Sequence, residues 1–293
     1  MSTILPSAVA AAIKACVAAC TVSVTPGNYG ALTLENLAPP MGATIDLTGS
    51  TFTSIYMLND QNLTITGGTV MGTGDAYGRC WNLDSSQNMV LEGNAANGCG
   101  SAGFTLSRSV GVTLDHWVAP NMLCDGVDIV GSSNVNVTNG TQIGSNDTGP
   151  CHPDAIQGWS YQNYIVQNVL ISGNVIVSGN FLRDDGVSRG QQGIDMWNGN
   201  GPNAPGGPNN INVQVINNSL TLYGGACVAM YGQTSMVVQG NQCFNLNPEP
   251  WPSKFTVTSD STGTVSNNQV DGRPALINVA APVAVTAAAP APD

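Results

Sequence analysis

Three short segments of the chain share one pattern: Asp125-Gly-Val-Asp-Ile129, Asp154-Ala-Ile-Gln-Gly158 and Gln192-Gly-Ile-Asp-Met196. Aligned, they place Asp125, Asp154 and Gln192 in one column and Asp128, Gln157 and Asp195 in a second. Carboxylates held side by side cannot all ionise freely, so one is pushed to keep its proton while another stays charged, and that pairing is what general acid and general base work needs. His152 lies just before Asp154, and the stretch from Asn180 to Gln192 adds Arg183, Asp184, Asp185 and Arg189. An imidazole, several carboxylates and guanidinium groups can therefore converge. The chain has 18 acidic residues in 293, so four aspartates in two columns is a concentration of the kind that functional sites require. The bland alternative is that acids and amides at turns only cap strands or hold calcium.

Columns imply stacking, and the chain carries a repeated phrase that stacks: a short apolar strand, a polar turn, a second strand, then Asn-Gly or Asn-Asn. Leu83, Leu106 and Ile129 occupy the same place in consecutive phrases, 23 residues apart in both steps (106−83 and 129−106). Further copies start at Ala155, Ile194, Val228 and Phe255, with an earlier one at Tyr56, and their longer spacings require loops that project outward. No single phrase can bury its own apolar face, so the units are stable only when stacked. Period-2 alternation, β-branched residues and Asn/Gly punctuation favour strands. The expected fold is all-β, a parallel β-helix solenoid of about eight coils over residues 21–279, with the two aspartate-bearing columns on its outer flank.

Composition excludes other classes. Charged residues are 9% and Gly numbers 35, which is neither a disordered nor a helical-repeat composition. A net charge of −11 with only seven Lys and Arg repels polyanions, so nucleic acid is not an expected partner. No apolar stretch has the length of a membrane span, and no membrane partner is expected. Residues 6–19 are small and apolar without a basic leader and run directly into a strand, so they are expected to form an amphipathic helix that caps the core. Residues 1–279 then form one domain, and 280–293 is an Ala/Pro-rich tail or linker. The eight cysteines fall as neighbouring pairs, 16/20, 80/99, 124/151 and 227/243. The expected bridges are 16–20, 80–99 and 124–151, which point to an oxidising compartment: secreted, periplasmic, cell-surface or on a phage particle.

In organisation the chain resembles the pectate-lyase-like superfamily, which implies a right-handed parallel β-helix. Leu123-Cys-Asp-Gly-Val-Asp-Ile129 resembles the Asn-Thr-Asp-Gly segment of the polygalacturonases, the family 28 glycoside hydrolases. That resemblance implies catalytic carboxylates at Asp125 and Asp154. It stops there, because the second segment has one Asp where the family has two, and neither Gly-His-Gly nor Arg-x-Lys follows. His152-Pro-Asp-Ala-Ile-Gln157 followed by Gln192-Gly-Ile194 resembles a group of bacterial and phage β-helix proteins, which implies carbohydrate handling in a broad sense.

Three functions remain open on the residues alone. A glycoside hydrolase would use the Asp125/Asp154 pair, with Asp195 nearby, Trp197 stacking on a sugar face and Asp128, Gln157 and Gln192 binding hydroxyls. A polysaccharide lyase or C5-epimerase would use His152 as base and Arg183 or Arg189 to neutralise a uronate, with calcium on Asp128, Asp184, Asp185 or Asp195. A glycan-binding or phage-spike solenoid would use none of them as catalysts. No cofactor is required by the first or third reading; the expected partner in each is a polysaccharide or oligosaccharide.

Overall fold

The computed structural model describes residues 3–73, 78–145, 153–178, 192–198, 209–223, 225–246 and 253–280. Among them, three sheets of 12, 10 and 11 strands run along the chain. Each coil sends one strand into each sheet, and strands pair in parallel throughout, save where Arg273–Pro274 folds back antiparallel on Gln269–Val270. The ten-stranded sheet bears the aspartate columns. Its strands are β1 (Ala31–Glu35), β2 (Ser54–Leu58), β3 (Trp81–Asp84), β4 (Ala102–Ser107), β5 (Asp125–Val130), β6 (Asp154–Trp159), β7 (Gln192–Trp197), β8 (Ala226–Met230), β9 (Lys254–Thr258) and β10 (Ile277–Ala280). There are thus ten coils where the repeated phrase suggests eight. The first is hidden because a Pro39-Pro40 loop follows β1, and the last because β10 runs into the Ala/Val-rich end.

Alternate residues of this sheet point into the solenoid. Ile55 and Met57, Trp81 and Leu83, Phe104 and Leu106, Val127 and Ile129, Ile194 and Met196, and Val228 and Met230 are all buried in one core. Each such side chain contributes on the order of 1.5–3 kcal/mol by leaving water. The core ends at the N-terminus against Val9 and Ile13 of helix α1 (Val9–Lys14). The cap is therefore a helix, shorter than residues 6–19: Pro6–Ala8 form a 3-10 turn, and the chain leaves helical geometry where Cys16 bonds to Cys20. Cys80–Cys99 and Cys227–Cys243 are also bonded. Cys151 lies outside the described residues, so the 124–151 pairing is not described.

Corners are built from polar ladders. Most non-glycine residues with positive φ are asparagines, which tolerate the left-handed region. At one corner the side chains are buried. Asn174, Asn218, Asn241 and Asn268 stack coil on coil, and the backbone N–H of each of the first three donates to Oδ1 of the next at 3.0 Å. Their Nδ2 groups donate onward to the carbonyls of Val137, Ile171, Val215 and Val238. Above this ladder Trp117 Nε1 donates to Asn174 Oδ1 at 3.2 Å, and residue 140 must be Gly because a Cβ there would meet the Trp117 indole. A second corner carries a serine ladder, in which the N–H groups of Asp60, Ser86 and Ser109 donate to Oγ of Ser86, Ser109 and Ser132.

Asp60 begins the serine ladder, fully buried, with Oδ1 accepting from the Leu37 N–H at 2.8 Å. Burial pushes its pKa up to about 6, partly opposed by that Leu37 hydrogen bond. A raised carboxyl pKa means that the folded state holds a proton the unfolded chain has lost. Stability is therefore full below about pH 4 and falls as pH rises through about 6. Asp60→Asn should flatten part of that fall, which thermal melts between pH 4 and 8 would measure; an unchanged pH profile would refute it.

Candidate functional site

The register predicted from sequence is the register observed. Ala102 pairs with Asp125, and Asp154 with Gln192, while Thr105, Asp128, Gln157, Asp195, Ala229 and Thr256 follow one another across neighbouring strands. Strands about 4.8 Å apart put these groups within reach of one ligand. The Asp154 backbone N–H donates to Asp125 Oδ1 at 2.7 Å, which ties the two coils together.

The two columns face the same side for a local reason. In a regular strand, residues i and i+3 point to opposite faces. Here Gln157 Nε2 donates to Asp154 Oδ2 at 2.7 Å, and the Asp125 and Asp128 side chains are hydrogen-bonded, so both pairs share a face. The ladder skips Gly103, Gly126, Ala155 and Gly193 at this corner. A Cβ at Gly126 would meet the interior Gln142 side chain, and one at Gly193 would meet Leu220. Two consecutive residues, Gly126 and Val127, therefore turn inward, and the aspartates flanking them both turn out.

Outward does not mean wet. Asp154 and Asp195 are 0% exposed, and Asp125, Asp128 and Gln157 are also buried, where the sequence alone suggests a solvent-facing row. The residues of β5 and β6 are buried on both faces of the sheet almost throughout. Shielding from water changes the proton states. Burial pushes Asp128 up to about 7; the Arg79 guanidinium and the Asp125 hydrogen bond pull it down, and the Asp154 charge adds to the rise. Burial and then the Asp154 charge push Asp195 well above the ordinary carboxylate range, with the neighbouring Trp197 indole acting the other way. Gln157 Nε2 donates to Asp154 Oδ2, which fixes the orientation of that carboxyl.

Along the second column, Asn82 Oδ1, Thr105 Oγ1 and Asp128 Oδ1 lack hydrogen-bond partners among the described residues. Buried polar groups in native proteins are almost always satisfied, which makes such a row a candidate for meeting a polar ligand. Beside it, the Trp197 and Tyr231 rings stack with centroids 4.1 Å apart and planes 12° from parallel. Burial, then the Asp195 and Asp154 charges, push the Tyr231 phenol upward, which places that ring next to the acids.

Of the expected site residues, the fold brings together Asp125, Asp128, Asp154, Gln157, Gln192, Asp195 and Trp197. His152, Arg183, Asp184, Asp185 and Arg189 lie outside the described residues. Among the described residues no three His, Cys, Asp or Glu side chains converge on a point that would hold a metal ion. Asp184 and Asp185, two of the four residues expected to hold calcium, lie outside the described residues. Sequence reasoning placed Thr105 in the column but missed Arg79, Tyr231 and Asn82, which carries the polar row one coil further. Arg79 was findable, since it stands one 23-residue period before Ala102. Tyr231 was findable too, since it follows Met230 as Trp197 follows Met196 in the paired strand.

Among solved structures, a polygalacturonase from Erwinia carotovora ssp. carotovora superposes with a TM-score of 0.54 at 15% identity, covering 92% of this chain and 94% of that one. A tailspike mutant of E. coli bacteriophage HK620, in complex with a pentasaccharide, gives 0.52 at 12% identity over 89% of this chain; the chain spans 56% of its length. These likenesses are of fold. No curated protein matches the chain in sequence. No helix among the described residues is long and apolar enough to cross a membrane. The family model described as "Right handed beta helix region" matches residues 19–170, more than half of the chain, so the protein belongs to the right-handed β-helix family.

Proposed function

We propose that the chain is a polysaccharide-acting enzyme, a glycoside hydrolase that works through Asp154 and Asp195. The observation that carries this is a pair of carboxyls on neighbouring coils with different surroundings: Asp195, raised by burial and by the Asp154 charge, suits a proton donor, and Asp154 is held in one orientation by the Gln157 amide. A leaving glycosidic oxygen needs the first, and water or the anomeric carbon needs the second. This revises the pair suggested by sequence. Asp125 spends one oxygen on the Asp154 backbone N–H, so it positions the next coil, and Asp128 works with it as a proton-sharing neighbour. Trp197 and Tyr231 offer a flat aromatic face for a pyranose. The fold shared with a polygalacturonase and a pentasaccharide-bound tailspike supports carbohydrate as the ligand class by analogy alone. Three disulfides support an oxidising, extracellular setting.

Release of reducing ends across a panel of polysaccharides tests the reading. Trp197→Ala should then raise KM roughly tenfold with a smaller change in kcat, the ~1.4 kcal/mol of one lost stacking face. Equal losses in kcat would instead place Trp197 in the chemistry.

A non-catalytic glycan-binding solenoid is the second reading, favoured by the complete burial of Asp154 and Asp195 and by the ladder-type bond of Asp125. Under it, no polymer of the panel is cleaved. The lyase or epimerase alternative rests on His152 and Arg183, both outside the described residues.

A further inference from the structure

Just past β6 the chain makes a tight turn whose two tyrosines face solvent, although the strand before them is mostly buried. Tyr161 and Tyr164 exchange backbone hydrogen bonds of 2.9 Å in both directions, which closes the turn over Gln162 and Asn163. Gln162 takes φ 54°, the left-handed value that such a turn needs, and its Nε2 donates to Tyr161 Oη at 3.3 Å. Tyr161 is 39% exposed and Tyr164 47%.

The base of the turn is fixed on two sides. Buried Ser160 donates to Asn210 Oδ1 at 2.9 Å and accepts from the Val166 N–H at 3.1 Å. Both tyrosines lie against Gly131 of the preceding coil, where a Cβ would come within 2.6 Å of Tyr164 Cβ. Rings on so firm a base lose little freedom when a ligand stacks on them.

The turn also continues a line of rings that borders the acids. Gly158 faces the interior, since a Cβ there would meet Met196 and Ile129, so Gln157 and Trp159 face outward together. Trp159 pairs in register with Trp197, and Trp197 stacks on Tyr231. Trp159, Trp197 and Tyr231 thus follow the solenoid axis one ring per coil, each two residues past its member of the Gln157, Asp195, Ala229 row. Beyond the turn stands Arg108, held by both oxygens of Asp84, through Nε at 3.0 Å and through Nη2, and within electrostatic reach of the Tyr164 and Tyr161 phenols.

From this placement we infer that Trp159, Tyr161 and Tyr164 form a second sugar-binding subsite, one coil from Asp195, for further residues of an extended glycan lying along the solenoid axis. The rings meet the apolar faces of pyranoses, and the Arg108–Asp84 pair offers donors and acceptors to their hydroxyls. The subsite rests on the polysaccharide reading for its ligand and on the fixed turn for its position.

The probes are polygalacturonate, hydroxyethyl cellulose, xylan and dextran, with oligosaccharides from the disaccharide upward for each polymer that the parent chain retains. Retention on affinity gels, reducing-end release and melting temperature are measured for the full chain and for the pairs Tyr161→Ala with Tyr164→Ala and Tyr161→Phe with Tyr164→Phe. The alanine pair is expected to weaken retention of the polymer at least about tenfold, and less as the oligosaccharide shortens, while the phenylalanine pair retains it. Each single alanine variant repeats the measurement with a smaller truncation, at roughly threefold apiece, should the double variant melt below the parent. Loss of retention in this pattern with no polymer cleaved upholds the subsite and removes the hydrolase reading. Cleavage with equal retention by the parent and the alanine pair overturns the subsite and leaves the hydrolase. An equal loss at every length, disaccharide included, also overturns it, since the turn then acts on the fold or on the acids and not on distant sugars. If the parent neither retains nor cleaves any probe, both fall.

Discussion

Asp154→Asn is expected to reduce turnover of a cleaved polysaccharide by about 10³-fold or more, with the melting temperature close to that of the parent chain. The substitution removes ionisation and little else. Asn keeps the shape of Asp, and its Oδ1 can still accept from Gln157 Nε2, the bond that orients Asp154. A buried negative charge is removed from between Asp125, Asp128 and Asp195, so the pKa of Asp195 should come down as its repulsive neighbour disappears. The basic limb of the pH–rate profile in the parent enzyme should report Asp195, because activity is lost once that acid gives up its proton. Asp195→Asn should remove that limb along with most of the activity. Full activity in Asp154→Asn would end the assignment. A collapse of the fold in the same variant would return Asp154 to a purely structural role.

Asn218→Ala is expected to cost on the order of 3–5 kcal/mol. Its side chain accepts from both the backbone N–H and Nδ2 of Asn174 at 3.0 Å and donates to Ile171 O and to Asn241 Oδ1. Truncation leaves several of those groups buried without partners, each at roughly 1–3 kcal/mol. Asn168→Ala is the control. It removes an exposed rung, bonded to Asn134 at 2.9 Å and to Asn212 at 3.0 Å, where water replaces the lost partner. Denaturant titration of the two variants should separate them by at least about 2 kcal/mol, and equal losses would show that burial does not govern the ladders.

How much of this was legible before the structure depends on whether the signal was periodic. The alignment of Asp125 with Asp154 and Gln192 followed from the spacing of the phrases, because a parallel ladder converts sequence offset directly into neighbourhood. The Cys80–Cys99 bridge followed from placement on adjacent coils, and Cys16–Cys20 from the turn between helix and strand. Burial of the acids was not legible, since alternation tells which face a residue takes and not what lies over that face. The inward pair Gly126 and Val127 was also invisible. It depends on contact between residue 126 and Gln142 in another sheet, a partner that no local pattern names. The proposed choice of Asp195 over Asp125 as the acid has the same origin, because it rests on hydrogen bonds and desolvation, which position in a column does not reveal.

Gly126 and Val127, by turning inward together, make the outer surface of the solenoid an unevenly ruled page. Regular strands would space their outward residues by two; here 125 and 128 flank a gap that brings the two acid columns to one face. New chemistry can then be written one residue at a time, coil by coil, as Thr105, Asp128, Gln157, Asp195 and Ala229 already show along a single line. The ruling itself cannot be changed so cheaply. It depends on a row of small residues, Gly103, Gly126, Ala155 and Gly193, and a bulky side chain at any one of them would meet the interior and shift the margin for every coil stacked beside it.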